Sequence, residues 1–408
     1  MDVRPDYQDW HLLPSLFPVS YPGVKTSRDA ELVDIDREAL ESRIARYFDS
    51  GIKMSQLKSA LPGLAQDASR FSADQVRAEL LALGINSGKF IRYCYRPLDF
   101  RWVYWHPQTK LLDEKRSDYV AQCDGKNYWL FTTGRTRKDL IEPPIPVREV
   151  TDLNLMDSGA RGFPIYVLPD GLAENIQAHP DLFAPAKPSG PQANLTDFAL
   201  EYLAGLKCGA EDLFFHIVAV LHAPLYREEN AGALRQDWPR VPLPKTAKVL
   251  QAGAALGRQI AALLDPETPV EGVTTLQVRP DLKGLGELTV KPGGKAPDLA
   301  IAARWGYAGQ GGVTMPGPGL VTTGTRGEGY LDIHLNATTR WKDVPEAVWR
   351  YTLGGYQVLK KWLSYRESAL LGRPLTSDEA QQFTHHVRRI ASILALHGKL
   401  DAHYGASV

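Results

Sequence analysis

The chain has 408 residues, of which 44% are apolar and 23% charged, enough to build more than one globular core. No apolar run reaches the roughly 18 residues that a membrane-spanning helix requires. The N-terminus, Met1-Asp2-Val3-Arg4, has neither the basic nor the apolar region of a secretory signal, so a cytoplasmic location is expected. Lys plus Arg and Asp plus Glu both number 47, which argues against a strongly basic, free-standing nucleic-acid binder.

The charge is unevenly spread. From Arg340 to Lys399 the chain carries ten Lys and Arg against five Asp and Glu. The cysteines Cys94, Cys123 and Cys208 are far apart and odd in number, with no CxxC pair, and read as buried thiols of a reducing compartment.

Residues 1–89 read as helices joined by polar turns. Leu40, Ile44 and Phe48 recur every four residues in a helix expected over 37–48. Ser72 to Gln75 has the pattern of a capping box. From 90 to 182 the character becomes β. Phe90 to Trp105 is aromatic and β-branched around Pro97. Residues 119–123 and 126–133 flank Asp124-Gly125, a dipeptide suited to a tight hairpin. Phe163 to Leu168 is a further strand.

Residues 183–194 are rich in Pro, Ala, Gly and Ser and read as a linker. A helical segment, 195–265, follows, with helices over 197–206, 211–221 and 247–264. A second β-rich segment covers 266–343 and includes the glycine-rich run 306–319, read as a loose loop. The last segment, 344–408, is helical, broken or bent at Gly354-Gly355 and capped at Thr376 to Glu379 before Phe383, Val387, Ile390 and Leu394. The expected class is α+β, with segregated elements and no doubly wound dinucleotide-binding domain.

Most catalytic patterns are missing. The only Pro-Pro pair, Pro143-Pro144, lies between Glu142 and Ile145 and cannot supply the Asn/Asp-Pro-Pro-aromatic loop of an adenine methyltransferase. No helix follows Gly306, Gly309, Gly311 and Gly312 to receive a phosphate, so no cofactor is expected. Asp281, Glu287 and Lys291 are the best candidates for a metal nuclease, but they read more simply as a solvated loop. His216 and His222 are six residues apart, and His385-His386 diverge, so all four read as packed or surface histidines.

Four segments instead combine aromatic with basic residues: Tyr93 to Trp105, with Arg96 and Arg101; Arg135, Arg137 and Lys138 after a strand; Asp237 to Pro244, with Arg240; and Gly354 to Leu363, with Gln357, Lys360 and Lys361. Arg366 and the Gly372-Arg373-Pro374 turn follow the last. Arg and Lys neutralise phosphates, and Gln or Arg can read base edges. The large aromatics read as core.

The segments YRPLDFRWVYW (95–105), LHAPLYR (221–227), DWPRVPLP (237–244) and VWRYTLGGYQVLKKWLSYR (348–366) resemble the C-terminal specificity region of type I single-polypeptide restriction–modification enzymes. LFPVSYPGVKTSRD (16–29) and KLLDEKR (110–116) do as well, so the resemblance spans nearly the whole chain. In that family one polypeptide joins a nuclease, an ATP-driven translocase, an N6-adenine methyltransferase and a target-recognition domain, and serves phage defence. The resemblance implies recognition of double-stranded DNA on behalf of an adenine methyltransferase, supplied by a separate chain or an upstream region. Cleavage, translocation and methylation are not assigned to this chain. DNA contacts are expected at Arg96, Arg101, Arg135, Arg137, Lys138, Arg240, Gln357, Lys360, Lys361, Arg366 and Arg373. The alternative from another class is the metal-dependent nuclease on Asp281, Glu287 and Lys291.

Overall fold

A computed structural model describes residues 3–135, 141–156, 159–168, 190–291, 294, 296–310 and 313–408. The chain divides into two compact units: residues 12–135 with 145–210, and residues 1–11 and 136–144 with 211–408. Both mix helices with small sheets, giving an α+β fold. The three four-stranded sheets pair antiparallel, except where Phe90–Arg96 meets Val150–Thr151. Among the described residues that leaves no regular βαβ alternation.

In the first unit, Phe90–Arg96 and Asp99–Tyr104 form a hairpin. Pro97 sits at its turn, where its fixed φ is useful, and Leu98 takes the left-handed conformation at φ 58°. The hairpin is flanked by Val33–Asp34 and Val150–Thr151. A second sheet runs in the order Tyr21–Pro22, Arg161–Pro164, Trp129–Thr132, Ile145–Val147. The expected hairpin about Asp124-Gly125 does not form. Ser117–Val120 is a short helix, and the Asp124 carboxylate accepts the N–H groups of Lys126 and Asn127, closing a side-chain-bonded turn. Buried Tyr119 meets Trp129 edge to face, with ring centroids 4.9 Å apart, so it is held by its ring and not by a strand partner.

The helix expected over 37–48 is Arg37–Tyr47, burying Leu40 and Ile44. Ser72 does precede the helix Ala73–Leu83, but its side chain makes no cap hydrogen bond. Thr196 caps Asp197–Leu206. Of the expected linker, 183–189 lies outside the described residues, while Gln192–Ala193 pairs with Tyr166–Val167.

The second unit packs the sheet Glu287–Val290, Thr339–Pro345, Gly327–His334, Val321–Gly324 beside long helices. Ala247–Leu264 is capped by Thr246 and Ser377–Ser407 by the reciprocal Thr376–Glu379 box. At the other end of Ala247–Leu264, Arg389 donates to the carbonyls of Ala262 and Thr268 at 2.8 and 2.6 Å. Its guanidinium thus serves terminal carbonyls that have no partner within the helix, and burial lowers its pKa to about 10. In Ser377–Ser407 the core face is Phe383, Val387, Ile390 and Ile393, with Leu394 only half-buried. Trp341 stacks on Phe383 at 4.0 Å and donates its indole N–H to Ala380.

The Gly354-Gly355 pair breaks the helical segment outright and does not merely bend it. Both residues have positive φ, 63° and 83°, and form the two-residue turn between Thr352–Leu353 and Tyr356–Gln357. The helix that follows, Val358–Ser364, buries Val358, Leu359, Trp362 and Leu363. The glycine-rich run is also more ordered than expected: Gly306–Ala308 pairs antiparallel with Thr314–Pro316.

Candidate nucleic-acid interface

A side chain that binds DNA must present its cationic head to solvent, and the sequence candidates divide sharply on that criterion. Arg96 and Arg101 lie on the hairpin of the first unit against the ring of Tyr95, with guanidinium carbons 4.0 and 4.1 Å from its centroid. Each has a carboxylate: Arg96 meets Asp152 at 2.8 Å and Arg101 meets Asp99 at 2.7 Å. Tyr93 donates to Asp152 at 2.7 Å, and Tyr95 donates to Asp29 at 2.7 Å. Burial raises the pKa of Asp152, while Arg96 pulls it down. Arg96 and Arg101 are both buried, so neither head reaches solvent as a DNA contact would need: Arg96 ties the hairpin to Asp152, and Arg101 pairs within its own strand.

Arg366 is likewise buried, 3.9 Å from the centroid of Trp362. Arg240 is half-buried and donates to the carbonyls of Gln8 and Trp10, tying down the N-terminal segment. Arg373 pairs with Glu379, the capping-box residue, at 2.7 Å. Burial raises the Glu379 pKa, but hydrogen bonds from Arg373 and the Thr376 N–H and the charge of Arg366 hold it below the usual value. Gln357 does not share a helix face with Lys360 and Lys361. It precedes the helix Val358–Ser364 and donates its amide to the carbonyl of Trp349 at 2.8 Å. Arg137 and Lys138 lie outside the described residues.

Three candidates remain, and the two lysines among them are half-exposed, as Arg240 and Arg373 are. Arg135 is exposed in the first unit. Lys360 and Lys361 are half-exposed on Val358–Ser364 in the second. The Lys361 ammonium sits 4.6 Å from the ring centroid of Tyr365 and donates to the carbonyl of Thr314 at 3.3 Å. The neighbouring strand pair brings in residues that sequence reasoning passed over. Gly306–Ala308 lies so close to Val358–Ser364 that a β-carbon on Gly306 would collide with the carbonyl of Ser364. Glu367 accepts the N–H groups of Arg304 and Trp305 at 3.2 and 2.7 Å, and the buried Trp305 donates its indole N–H to His334. Arg304 itself is exposed, at φ 63°. The flanking residues, Trp305 to Ala308 and Thr314 to Pro316, alternate between the two sides of the strand pair, a signal hidden by the glycines between them.

The acids of the nuclease alternative are engaged elsewhere. Glu287 faces Lys342 at 3.6 Å and Arg388 at 3.4 Å, and Asp281 faces Arg279 at 3.2 Å. Among the described residues no three His, Cys, Asp or Glu side chains group as metal ligands would. His216 and His222 are buried and satisfied. His216 bonds His403 and the carbonyl of Pro242, and His222 bonds the carbonyl of Pro144. Burial lowers both pKa values to about 3. No described helix is long and apolar enough to cross a membrane.

A family profile for the type ISP C-terminal specificity domain matches residues 15–393. Among solved structures, the chain is similar to a cryo-electron-microscopy structure of a DrdV–DNA complex, with 18% identity and a TM-score of 0.59 over 95% of this chain and 36% of that one. It is similar also to a nuclease-deletion mutant of the type ISP restriction–modification enzyme LlaGI in complex with a DNA substrate mimic, with 15% identity and a TM-score of 0.57 over 98% and 34%. A third is the ATP-dependent type ISP restriction–modification enzyme LlaBIII bound to DNA, with 14% identity and a TM-score of 0.58 over 98% and 24%. The chain therefore spans between about a quarter and just over a third of these proteins, and the likeness is one of fold. No curated protein sequence matches.

Proposed function

Because the chain belongs to the family of type ISP C-terminal specificity domains, we propose that it reads a base sequence in double-stranded DNA as the target-recognition part of a restriction–modification system. The observation that carries this reading is the family match across residues 15–393. The fold shared with three proteins solved on DNA or a DNA mimic supports it. Its catalytic partner is an N6-adenine methyltransferase, joined to it or supplied beside it, which receives the target that this chain selects. Arg135, Lys360 and Lys361 meet phosphates, and each phosphate neutralised releases counterions from the duplex. Arg96, Arg101 and Arg366 shape the surface from within.

Selection from a pool of duplexes with a randomised segment tests the reading. Repeated capture by the purified chain is expected to enrich a common sequence. Duplexes that emerge as random as they entered would overturn it.

A further inference from the structure

We propose that the strand pair Gly306–Ala308 and Thr314–Pro316 is a wedge that presses Tyr307 and Met315 against the base stack and deforms the bound duplex. This rests on the DNA-recognition reading and adds to it a specific act: distortion of the DNA by apolar side chains.

Tyr307 and Met315 are cross-strand partners, so their side chains leave the strand pair on the same side. They are 53% and 43% exposed, and Val313 beside them is 61% exposed. Three large apolar side chains bare on one short element differ from scattered surface leucines. The opposite side of the pair is fixed. Gly306 is pressed on Ser364, a β-carbon on Gly317 would strike the carbonyl of Arg304, and one on Gly319 would strike the ring of Trp305. Trp305 is fully buried and anchored through Glu367 and His334. The strand pair is thus held firmly on its inner side while its outer side stays bare.

Charge identifies the occupant as DNA. Lys361 donates to Thr314 within the strand pair, Lys360 is its neighbour on the same short helix, and Arg304 stands exposed at the base. Cations flanking bare Tyr and Met side chains suit a polyanion with apolar base faces at its centre. Proteins that kink DNA insert apolar side chains between base steps and offset the unstacking with backbone contacts.

The test places 2-aminopurine, whose fluorescence rises when it is unstacked, at successive positions of a duplex that the chain binds. The parent chain is expected to raise the signal several-fold at one or two adjacent positions. The Tyr307→Ala/Met315→Ala double variant is expected to lose most of that rise while retaining the parent's salt dependence, and Tyr307→Phe to keep it. Tight binding by the parent with no rise at any position overturns the wedge and leaves DNA recognition standing. A rise that survives in the double variant does the same. Failure of the parent to bind any duplex overturns both.

Discussion

Residues 93–105 and the second-unit surface that 354–366 forms with the strand pair after Arg304 both combine aromatic with basic groups, yet they use their cations differently. In the first, Arg96 and Arg101 clasp Tyr95 and end on Asp152 and Asp99 inside the sheet. In the second, Arg366 turns inward over Trp362, while Lys360, Lys361 and Arg304 retain exposure around a bare apolar strand pair. Arginine forms planar, multidentate contacts, and the buried arginines Arg96, Arg101 and Arg366 use them on carboxylates and aromatic rings inside the protein. A basic–aromatic motif therefore locates a surface only after the carboxylates of its arginines have been found.

The sharpest way to break this comparison is to remove a carboxylate from the first region. Asp152→Ala would leave Arg96 buried beside Tyr95 without its partner. A loss of about 3–5 kcal/mol is expected in denaturant unfolding of the chain. An unchanged midpoint would mean that Arg96 is free to swing out, and the contrast between the regions would collapse.

Acid provides the next effect and acts within the helical part of the second unit. His216 and His222 have folded pKa values near 3, against 6.5 for the free side chain. Between those limits the unfolded chain binds more protons than the folded one, so stability is full above pH 6.5 and falls as the pH drops toward 3. At pH 5 the loss is of the order of 2 kcal/mol for each histidine. A denaturant midpoint that stays flat from pH 7 to pH 5 would show that these rings are not buried as neutral groups. The same argument fixes the conditions for binding work above pH 6.5, where DNA affinity and folding do not mix.

A smaller effect is expected at the Thr376–Glu379 box. Thr376→Ala should cost about 1 kcal/mol, read as a lower midpoint with unchanged denaturant slope. No loss would indicate that Arg373 and Glu379 hold this helix start unaided.

The sequence made some of this legible and hid the rest for local reasons. The helices over 197–206 and 247–264 are legible in sequence, and the structure adds a threonine cap at the start of each. Thr352–Leu353 and Tyr356–Gln357 escaped because two-residue strands are too short to show alternation, although Gly354-Gly355 is itself a hairpin signature. Asp124-Gly125 misled in the other direction, since the aspartate bonds its own loop. The buried role of Arg96 could not be read locally, because its partner Asp152 is 56 residues away. The exposed pair Tyr307 and Met315 was concealed by the glycines between its strands.

The central claim is that this chain meets DNA through accessible lysines and not through the buried arginines of its aromatic motifs. It is tested most directly by titrating duplex DNA with the parent and the Lys360→Ala/Lys361→Ala variant across a salt series at neutral pH. The parent's affinity is expected to fall steeply with salt. The variant should bind all sequences more weakly, with a log–log slope shallower by about one to two and folding stability within about 0.5 kcal/mol of the parent. Identical affinity and slope for the two proteins would contradict the account and move the phosphate-tracking surface away from this helix.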